Sequence, residues 1–430
     1  MAQKPSIPKG TRDFSPAEMS RRNYIFDTIK QTFKRFGFQQ IETPSMETLQ
    51  TLMGKYGEEG DKLLFKILNS GDYLNKISDE ELTKRDSLHL AALLCEKGLR
   101  YDLTVPFARY VVMHRDELQL PFKRYQIQPV WRADRPQKGR FRQFMQCDID
   151  IFGEPSNLAE IELILATTTT ISRLGFKNFQ IRINDRRILK AMAAYAGFKE
   201  EDYDSVFITL DKMDKIGVDG CLEELQEKGL GDADQCKKYL DLFTDIMEAD
   251  DGVACLIERL GDFLEEDMIA SFREIIDSVK ATKADTFELV FDPTLVRGMS
   301  YYTGTIFEIA MPEFGGSCGG GGRYDKMVGK FTGQDVPACG FSIGFERIVL
   351  LLMESGFQVP KAGAKVAYLI EKGVSGDALC DVIRKAQDAR AEGKQVLVAR
   401  MNKNKKFQKE QLQNEGYTEF VEYYKDPLKN

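Results

Sequence analysis

Permanent positive charge and phenol groups are concentrated in the stretch LVRGMSYYTGTIFE, residues 295–308. Arg297 supplies a guanidinium group, and Tyr301 and Tyr302 supply adjacent hydroxyl groups. The segment GGSCGGGGRYD, residues 315–325, follows closely and has six glycines in its first eight positions. One interpretation is a hairpin with a flexible turn. The other is a pocket for a small polar ligand with a glycine-lined wall.

A second concentration of charge lies between two predicted strands, 124–131 and 141–153. Six charged residues occupy eleven consecutive positions there: Arg132, Asp134, Arg135, Lys138, Arg140 and Arg142. A solvated basic turn would explain such a run. However, Arg132 and Arg142 flank the turn rather than occupying its tip, and arginine binds phosphate through two parallel hydrogen bonds. A phosphate-binding hairpin is therefore the alternative.

The second strand of this hairpin carries a mixed set of side chains on one face. Arg142, Phe144 and Gln146 stand at alternating positions, so their side chains point to the same side of the strand. Asp148 and Asp150 continue that face. A cation, an aromatic ring and an amide in this order resemble the floor of a nucleotide site.

Two further motifs point to the same kind of ligand. Asp102 and Thr104 would share a face of a short strand, ahead of a helix that begins after Pro106. A carboxylate beside a hydroxyl suits an ammonium ligand, and capping of the strand end is the alternative. GFSIGFER predicts a strand, a tight turn at Gly344 and a helix whose first turn carries Arg347. Neither GxGxxG nor GxxxxGK[ST] occurs, which excludes those phosphate loops.

The composition limits the chemistry that this chain can perform. Only two histidines, His89 and His114, are present, and no two of the eight cysteines have CxxC spacing. Histidine-based metal sites and histidine-activated nucleophiles therefore have little material. We expect reduced thiols and no metal site made by the protein itself. Catalysis must rely on Arg, Asp, Glu, Gln, Tyr and backbone groups.

The totals indicate an ordinary globular protein. A length of 430 residues predicts two to three domains, and 43% hydrophobic with 30% charged residues is a typical composition. A net charge of −7 argues against a surface coated in nucleic acid but permits a local basic patch. The first ten residues, MAQKPSIPKG, lack a signal-peptide core, and no apolar run approaches about 18 residues. We expect a cytoplasmic protein with no membrane span.

The elements that position these motifs can be predicted from periodicity. A helix is predicted over 17–36, with Ser15, Pro16 and Glu18 forming a capping box at its start. A second helix is predicted over 158–174. Acidic and lysine-rich amphipathic patterns over 186–284 indicate a helical insertion, and strand character returns at Phe287.

The last part of the chain has its own pattern. A β-α-β-α order over 364–430 predicts a small α/β domain. It contains a basic stretch, Arg400, Lys403, Lys405, Lys406 and Lys409. A solvated face is the commoner explanation for such a run, whereas Phe407 within it slightly favours contact with RNA.

Several of these segments together resemble the motifs of class II aminoacyl-tRNA synthetases, and specifically the histidyl-tRNA synthetase family. The resemblance covers nearly the whole chain. Its elements are KGTRDFSP near the start, FGFQQIETPSME as motif 1, the RPQKGRFRQF hairpin as motif 2, GFSIGFERI as motif 3, and the two stretches at 295–308 and 315–325 as histidine-specific segments. It implies an α+β catalytic domain on an antiparallel sheet, a helical insertion and a small α/β C-terminal domain. The implied boundaries are 1–185 and 285–360 for the catalytic core, 186–284 for the insertion and 364–430 for a shortened anticodon-binding-like domain.

The resemblance implies a function and its partners. That function is ATP-dependent attachment of histidine to its tRNA through histidyl-adenylate, with Mg²⁺ bound mainly through ATP and a cytoplasmic homodimer as the assembly. The alternative is a non-catalytic, synthetase-like regulatory subunit of histidine biosynthesis. A class II enzyme for another amino acid is disfavoured by the segment from Arg297 to Tyr302.

The resemblance also assigns roles to single positions. For ATP it implies Arg132 on the α-phosphate, Asp134 and Phe144 on adenine, and Arg140 and Arg347 on the β- and γ-phosphates. For histidine it implies Asp102, Thr104 and Gln146 on the α-amino group, Asp150 and Tyr302 with Tyr301 beside them on the imidazole, and Arg297 between the carboxylate and the α-phosphate. For tRNA it implies Arg135 and Gln137 at the acceptor end, with Lys403, Lys405 and Lys406 in the C-terminal domain. Arg132, Arg297 and Arg347 would be the catalytic residues. The chain departs from the family at Asp134, where glutamate is commoner, and at Met299 and Ser300.

Overall fold

The computed structural model describes residues 4–54, 61–75, 77–296, 301–312, 315–357, 359–360 and 365–426. Arg297 lies outside these described residues. The chain divides into two compact units: residues 1–13 with 25–355, and residues 14–24 with 356–430. The four-part division predicted at 185, 284 and 360 remains a prediction.

The larger unit is built on one sheet of eight strands. In spatial order they are β1 (Gln39–Gln40), β5 (Phe122–Trp131), β6 (Gln143–Phe152), β11 (Ala338–Ile343), β10 (Gly316–Arg323), β9 (Thr305–Met311), β7 (Phe179–Asp185) and β8 (Phe287–Phe291). The two outermost pairs are parallel, and all inner pairs are antiparallel. The predicted α+β fold on an antiparallel sheet is confirmed. Between β1 and β5 along the chain, three short strands form a separate antiparallel sheet. In spatial order they are β2 (Met46–Thr48), β4 (Lys97–Leu99) and β3 (Phe65–Ile67).

The first helix, α1 (Pro16–Arg35), begins as predicted. The backbone N–H of Ser15 donates to the Glu18 carboxylate at 2.8 Å, and the Glu18 N–H donates to Ser15 Oγ at 3.3 Å. These reciprocal bonds are the capping box. Further along the helix, Ile25, Ile29 and Phe33 are buried at helical spacing.

Short helices connect the first strands to the hairpin β5–β6. They are α2 (Leu49–Leu52), α3 (Asp79–Lys84), α4 (Ser87–Leu94) and α5 (Thr104–Met113), and α6 (Leu158–Arg173) follows the hairpin. Helix α5 starts at Thr104, two residues before Pro106, whereas the predicted helix begins only after that proline. Proline is tolerated there because the N–H groups of the first helical turn have no intrahelical acceptor. Thr104 is therefore helical, which corrects its predicted place on a strand.

The stretch 186–284 is helical, as its amphipathic pattern predicts. Its helices are α7 (Arg186–Ala196), α8 (Tyr203–Leu210), α9 (Met213–Glu227), α10 (Ala233–Glu248), α11 (Gly252–Leu260) and α12 (Glu266–Thr282), with two 3₁₀ turns at Glu200–Asp202 and Gly261–Phe263. Helices α13 (Lys326–Thr332) and α14 (Phe345–Glu354) follow in the second part of the sheet. Within the described part of the chain, no helix has both the length and the apolar character needed to cross a bilayer.

The glycine-rich segment is a central strand and not the loop that its composition suggests. Five of its six glycines lie in β10, between β9 and β11. A Cβ atom at Gly321 would collide with the carbonyl oxygen of Gly340 on β11, and one at Gly319 would lie 2.6 Å from the carbonyl oxygen of Ser342. Close approach of neighbouring backbones therefore requires glycine at these positions.

The C-terminal part of the chain forms a three-stranded parallel sheet. Its order is β13 (Gln395–Arg400), β12 (Lys365–Ile370) and β14 (Glu419–Tyr423), with helices α15 (Gly376–Ala391) and α16 (Lys405–Asn414) as connections. The predicted β-α-β-α order is present and is followed by the additional strand β14. None of the eight cysteines, all of which lie among the described residues, forms a disulfide.

Candidate active site

A cavity of about 250 Å³ opens over the middle of the large sheet. It is bounded by strands β6, β10 and β11, by the turn of the β5–β6 hairpin and by the start of α14. The lining includes eleven of the residues predicted from the sequence: Asp102, Thr104, Arg132, Asp134, Arg140, Phe144, Gln146, Asp150, Tyr301, Tyr302 and Arg347. The fold thus collects side chains separated by up to 245 positions around one space.

The floor of the cavity is one face of β6. Phe144, Gln146, Asp148 and Asp150 alternate along this strand and all line the cavity. Successive side chains on one face are about 6.7 Å apart, so the row spans roughly 20 Å. That is enough for two ligands placed end to end.

The hairpin turn supplies cations at one end of this row. Arg132 lies just after β5, its guanidinium carbon is 5.2 Å from the centre of the Phe144 ring, and its Nε donates to the carbonyl oxygen of Tyr101 at 2.9 Å. Arg140 closes the turn through paired backbone hydrogen bonds with Gln137. The first bond holds Arg132 beside the aromatic ring, and the paired bonds fix the backbone of the turn that carries Arg140.

Arg142 has a different role from the one its position predicts. It is not part of the cavity lining. Its Nε donates to the carbonyl oxygen of Asp134 at 3.1 Å, and its backbone N–H donates to the carbonyl oxygen of Gly10 at 2.9 Å. The prediction that Arg142 provides the cation of the floor is therefore wrong, because this side chain braces the turn instead.

Helix α14 brings a third arginine to the same end. Strand β11 runs antiparallel to β6, with Ile343 opposite Cys147, so the chain after Gly344 reaches the hairpin-turn end. Arg347, in the first turn of α14, donates to the carbonyl oxygen of Ser317 on β10. The predicted strand–glycine–helix junction is thus present, and it directs Arg347 into the cavity.

Buried carboxylates occupy the other end of the row. Asp150 is 3% exposed, lies 2.8 Å from Arg124 Nη2 and accepts a hydrogen bond from the Tyr324 hydroxyl. Burial raises the pKa of Asp150, while the positive charge of Arg124 and the hydrogen bond from Tyr324 oppose that rise. Arg124 and Tyr324 were missed in the sequence. The register of the predicted hairpin, which pairs Arg124 with Asp150, was the signal for the first, whereas only the sheet order brings Tyr324 to Asp150.

Asp148 is the second buried carboxylate of this end. Burial raises the pKa of Asp148 to about 7, and the charge of Asp150 adds to the rise while that of Arg124 opposes it. The amide nitrogen of Gln146 lies 3.5 Å from both oxygens of Asp148 and 3.4 Å from Ser342 Oγ. Gln146 Oε1 is buried and, among the described residues, has no hydrogen-bond partner. Such an acceptor facing a cavity fits a ligand that donates a hydrogen bond.

Asp102 caps a helix and also lines the cavity. Its carboxylate accepts a hydrogen bond from the backbone N–H of Val105 at 3.3 Å, which caps the start of α5. Asp102 and Thr104 also line the cavity. The carboxylate therefore bonds the start of a helix and not the end of a strand, and this bond does not exclude contact with a ligand.

The two adjacent tyrosines form part of the wall. The Tyr301 hydroxyl donates to the Tyr302 hydroxyl at 3.1 Å, and their ring centres are 4.4 Å apart. Tyr301 also meets the edge of Tyr324, at 6.0 Å between ring centres. The phenol groups predicted from the stretch 295–308 thus stand near the residue that contacts Asp150.

The remaining predicted residues lie elsewhere. Arg135 and Gln137 are exposed on the hairpin turn, and Lys403 and Lys406 are exposed in the C-terminal domain. Lys405 is half-buried there and lies 2.7 Å from Glu422 Oε2. Arg297 is outside the described residues.

The cavity is therefore electrically polarised. Arg132, Arg140 and Arg347 surround the hairpin-turn end, and Asp148 and Asp150 line the opposite end. Phosphate groups fit the first end, because fixed guanidinium groups stabilise negative charge without a proton transfer. An ammonium or imidazole group fits the second end, where carboxylates and a buried amide oxygen accept hydrogen bonds.

The sequence of this chain is similar to the sequences of known proteins over most of its length. The family described as Histidyl-tRNA synthetase matches residues 96–348 of this chain. The histidine–tRNA ligase of Christiangramia forsetii is 49% identical over 360 residues, which cover 83% of this chain and 78% of that protein. The histidine–tRNA ligase of Bacteroides fragilis is 52% identical over 362 residues, which cover 81% of this chain and 76% of that protein.

Solved structures agree with the sequence relatives. The histidyl-tRNA synthetase from a Nostoc species superposes with a TM-score of 0.77 at 26% identity, over 96% of this chain and 90% of that chain. A Bacillus halodurans protein, described as an ATP phosphoribosyltransferase regulatory subunit/histidyl-tRNA synthetase, also has a TM-score of 0.77, at 21% identity over 98% of this chain and 100% of that chain. The second likeness shows a shared fold.

Proposed function

This chain belongs to the histidyl-tRNA synthetase family and attaches histidine to tRNA, and on that premise we propose that the polarised cavity forms histidyl-adenylate. ATP would occupy the end with Arg132, Arg140 and Arg347, with adenine between Phe144 and Asp134. Histidine would occupy the end with Gln146, Asp148 and Asp150. The observation that carries this proposal is the row along β6, which places an arginine-rich end and a carboxylate end about 20 Å apart in one cavity.

The proposed chemistry needs no nucleophile from the protein. The carboxylate of histidine attacks the α-phosphorus of ATP, the bond to the bridging oxygen breaks, and pyrophosphate leaves. A ribose hydroxyl of the tRNA end then attacks the acyl carbon and releases AMP. Positioning and stabilisation of charge on the α-phosphoryl group are the main requirements. We assign the latter to Arg132 and, from the family motif, to Arg297.

The histidine end would recognise its substrate through polar groups. Asp102, Thr104 and the buried Oε1 of Gln146 would accept hydrogen bonds from the α-ammonium group. Asp150 and Tyr302, with Tyr301 beside them, would contact the imidazole. A competitor without an imidazole would forgo the hydrogen bonds to Asp150 and Tyr302, which is the physical basis for rejecting it.

We infer that ATP enters as its Mg²⁺ complex, with the ion held mainly by the phosphates. Among the described residues, no group of three or more His, Cys, Asp or Glu is placed to hold a metal ion, so a resident site is not part of this proposal. We also propose that the enzyme acts in the cytoplasm as a homodimer. In this proposal Arg135 and Gln137 contact the acceptor end of the tRNA, and Lys403, Lys405 and Lys406 contact its anticodon side.

The regulatory-subunit alternative is not favoured. A subunit without catalysis has no need for three arginines at one end of a cavity, and Arg132, Arg140 and Arg347 all line the cavity. The two relatives that share about 50% sequence identity with this chain are histidine–tRNA ligases.

The decisive experiment is ATP–pyrophosphate exchange with the purified chain. We expect exchange that requires histidine and is not supported by proline or threonine. Absence of exchange at millimolar histidine would remove the adenylate-forming site, and exchange with another amino acid would remove the assignment of Asp150 and Tyr302.

A further inference from the structure

The segment from Pro8 to Asp13, here called the N-terminal strap, contacts the hairpin turn and helix α14 from outside the cavity. We propose that its Arg12 is a positioning residue for the nucleotide half of the reaction, holding the turn and the start of α14 in place. This proposal rests on the function proposed above and deepens it by adding a residue that touches no substrate.

Arg12 joins the two elements directly. Its guanidinium carbon lies 3.4 Å from the centre of the Phe141 ring, which is on the hairpin turn. Its Nη2 lies 2.5 Å from Glu346 Oε2, which is in the first turn of α14. One side chain thus spans from the segment that carries Arg140 to the helix that carries Arg347.

Glu346 extends this link to the floor of the cavity. The Glu346 side chain is 5% exposed, and its Oε1 accepts from the backbone N–H of Met145 on β6 at 3.4 Å. Glu346 also lines the cavity. A buried carboxylate beside the proposed phosphate site would repel ATP unless a cation compensated its charge, and Arg12 supplies that cation.

The backbone of the strap is fitted to the same turn. Gly10 has a φ of +85°, in the left-handed region that favours glycine. A Cβ atom at Gly10 would lie 2.8 Å from Cγ of Arg142 and 2.9 Å from Cγ of Pro136. The Gly10 carbonyl oxygen accepts from the Arg142 N–H at 2.9 Å. The strap therefore packs against the hairpin turn at both Pro136 and Arg142.

The contacts of the strap are with the hairpin turn and the start of α14, which carry residues assigned to ATP. Arg142, held by Gly10, in turn holds the backbone of Asp134. The contacts of Arg12 with Phe141 and Glu346 both lie at the nucleotide end. Loss of the Arg12 side chain should therefore loosen the nucleotide end while the histidine end keeps its geometry.

The test is an Arg12→Ala variant of the full chain in ATP–pyrophosphate exchange. We expect the KM for ATP to rise about tenfold, while the KM for histidine stays within about twofold. Arg12→Lys, which keeps the charge but has no planar face, should recover part of the loss. Arg115→Ala, at an exposed arginine remote in sequence from both elements, is the matched control and should leave both constants unchanged.

A second variant separates positioning from general stability. Glu346→Gln removes the charge that Arg12 compensates, so Arg12→Ala should cost less in that background than in the native chain. Equal rises in both KM values, or a lower melting temperature with both KM values unchanged, would overturn the proposal. So would fully additive effects of Arg12→Ala and Glu346→Gln.

A binding measurement keeps this test independent of the proposed function. Titration calorimetry with Mg²⁺-ATP alone should show weaker binding to Arg12→Ala than to Arg115→Ala. Equal binding to the two variants would refute the strap's role even where exchange requires histidine. Absence of histidine-dependent exchange in the native chain would instead refute the proposed function.

Discussion

Buried or paired carboxylates have opposite effects on stability in two regions of this protein, the β5–β6 hairpin and the C-terminal domain. In the hairpin, Asp148 is buried against a cavity and burial raises its pKa to about 7. In the C-terminal domain, hydrogen bonds from Lys405, Lys409 and Tyr424 lower the pKa of Glu422 to about 2. The first carboxylate is held at a cost in stability, and the second adds to stability.

The cations of the two regions also differ in what they face. Arg132 and Arg347 in the larger unit donate to backbone carbonyl oxygens and also line a cavity. In the C-terminal domain, Arg400 donates to the carbonyl oxygens of Glu371 and Val374, both at 3.0 Å, and Lys405 lies 2.7 Å from Glu422. A run of basic residues in a sequence therefore does not by itself indicate how much positive charge is available to a ligand.

The largest effect should come from removing a cation that faces the cavity. Arg132→Ala is expected to slow histidine-dependent exchange by about 10²–10³-fold, because charge developing on the α-phosphoryl group loses a preorganised partner. Lys138→Ala is the control on the same turn, since Lys138 pairs at the surface with Glu354. Steady-state exchange rates decide the matter. A loss below about threefold in Arg132→Ala would end its assignment as the α-phosphate contact.

The second largest effect should be a change in thermal stability that depends on pH. The folded-state pKa of Asp148, about 7, lies above its ordinary value of 3.8, so ionisation of this group costs stability as pH rises from about 4 to about 7. Asp148→Asn should therefore raise Tm at pH 8, by on the order of 5 °C, and should make little difference at pH 4.

Scanning calorimetry at pH 4, 6 and 8 measures this difference. Asp116→Asn, at an exposed carboxylate, controls for the general effect of removing one negative charge. A Tm difference that is the same at every pH would show that burial of the Asp148 charge is not its cause.

The smallest effect should be a decrease in Tm, opposite in sign to the effect of Asp148→Asn. The folded-state pKa of Glu422, about 2, lies below its ordinary value of 4.5, so the ionised group adds stability above about pH 4.5 that is lost as pH falls through 2. Glu422→Gln should lower Tm of the C-terminal domain at pH 7 by roughly 1–2 °C. It should also release Lys405, which the proposed function places against the tRNA, and so strengthen tRNA binding about twofold.

Filter binding of tRNA and a melt at pH 7 test both halves of this expectation. An increase in Tm at pH 7 would contradict the stabilising role of Glu422. If tRNA binding also stayed unchanged, pairing with Glu422 would not be what limits the positive charge available to tRNA in the C-terminal domain.

Local patterns in the sequence predicted much of the fold. The capping box at Ser15 and Glu18, the long hairpin and the junction at Gly344 depend on neighbouring residues, and each is present. The residues that the family motifs assign to ATP and to histidine also meet in one cavity, apart from Arg297, which lies outside the described residues. Their roles stay predictions.

Long-range pairing was beyond the reach of sequence patterns. Arg12 and Glu346 are 334 positions apart, and Tyr324 meets Asp150 across 174 positions. Sheet order decides such pairs, and nothing in a local pattern records it. Arg142 was misjudged for a related reason. Alternation along a strand predicts its face, but the strand begins only at Gln143.

The glycines of β10 bear on how an alanine scan of this protein should be understood. Gly321 has no room for a methyl group against Gly340, and a methyl group at Gly340 would in turn collide with Asp150. Alanine at either position should abolish activity as completely as loss of a charged residue in the cavity, although neither glycine needs to touch a substrate. Intolerance to substitution along this strand therefore measures the spacing between backbones, and only the polar side chains around it measure recognition.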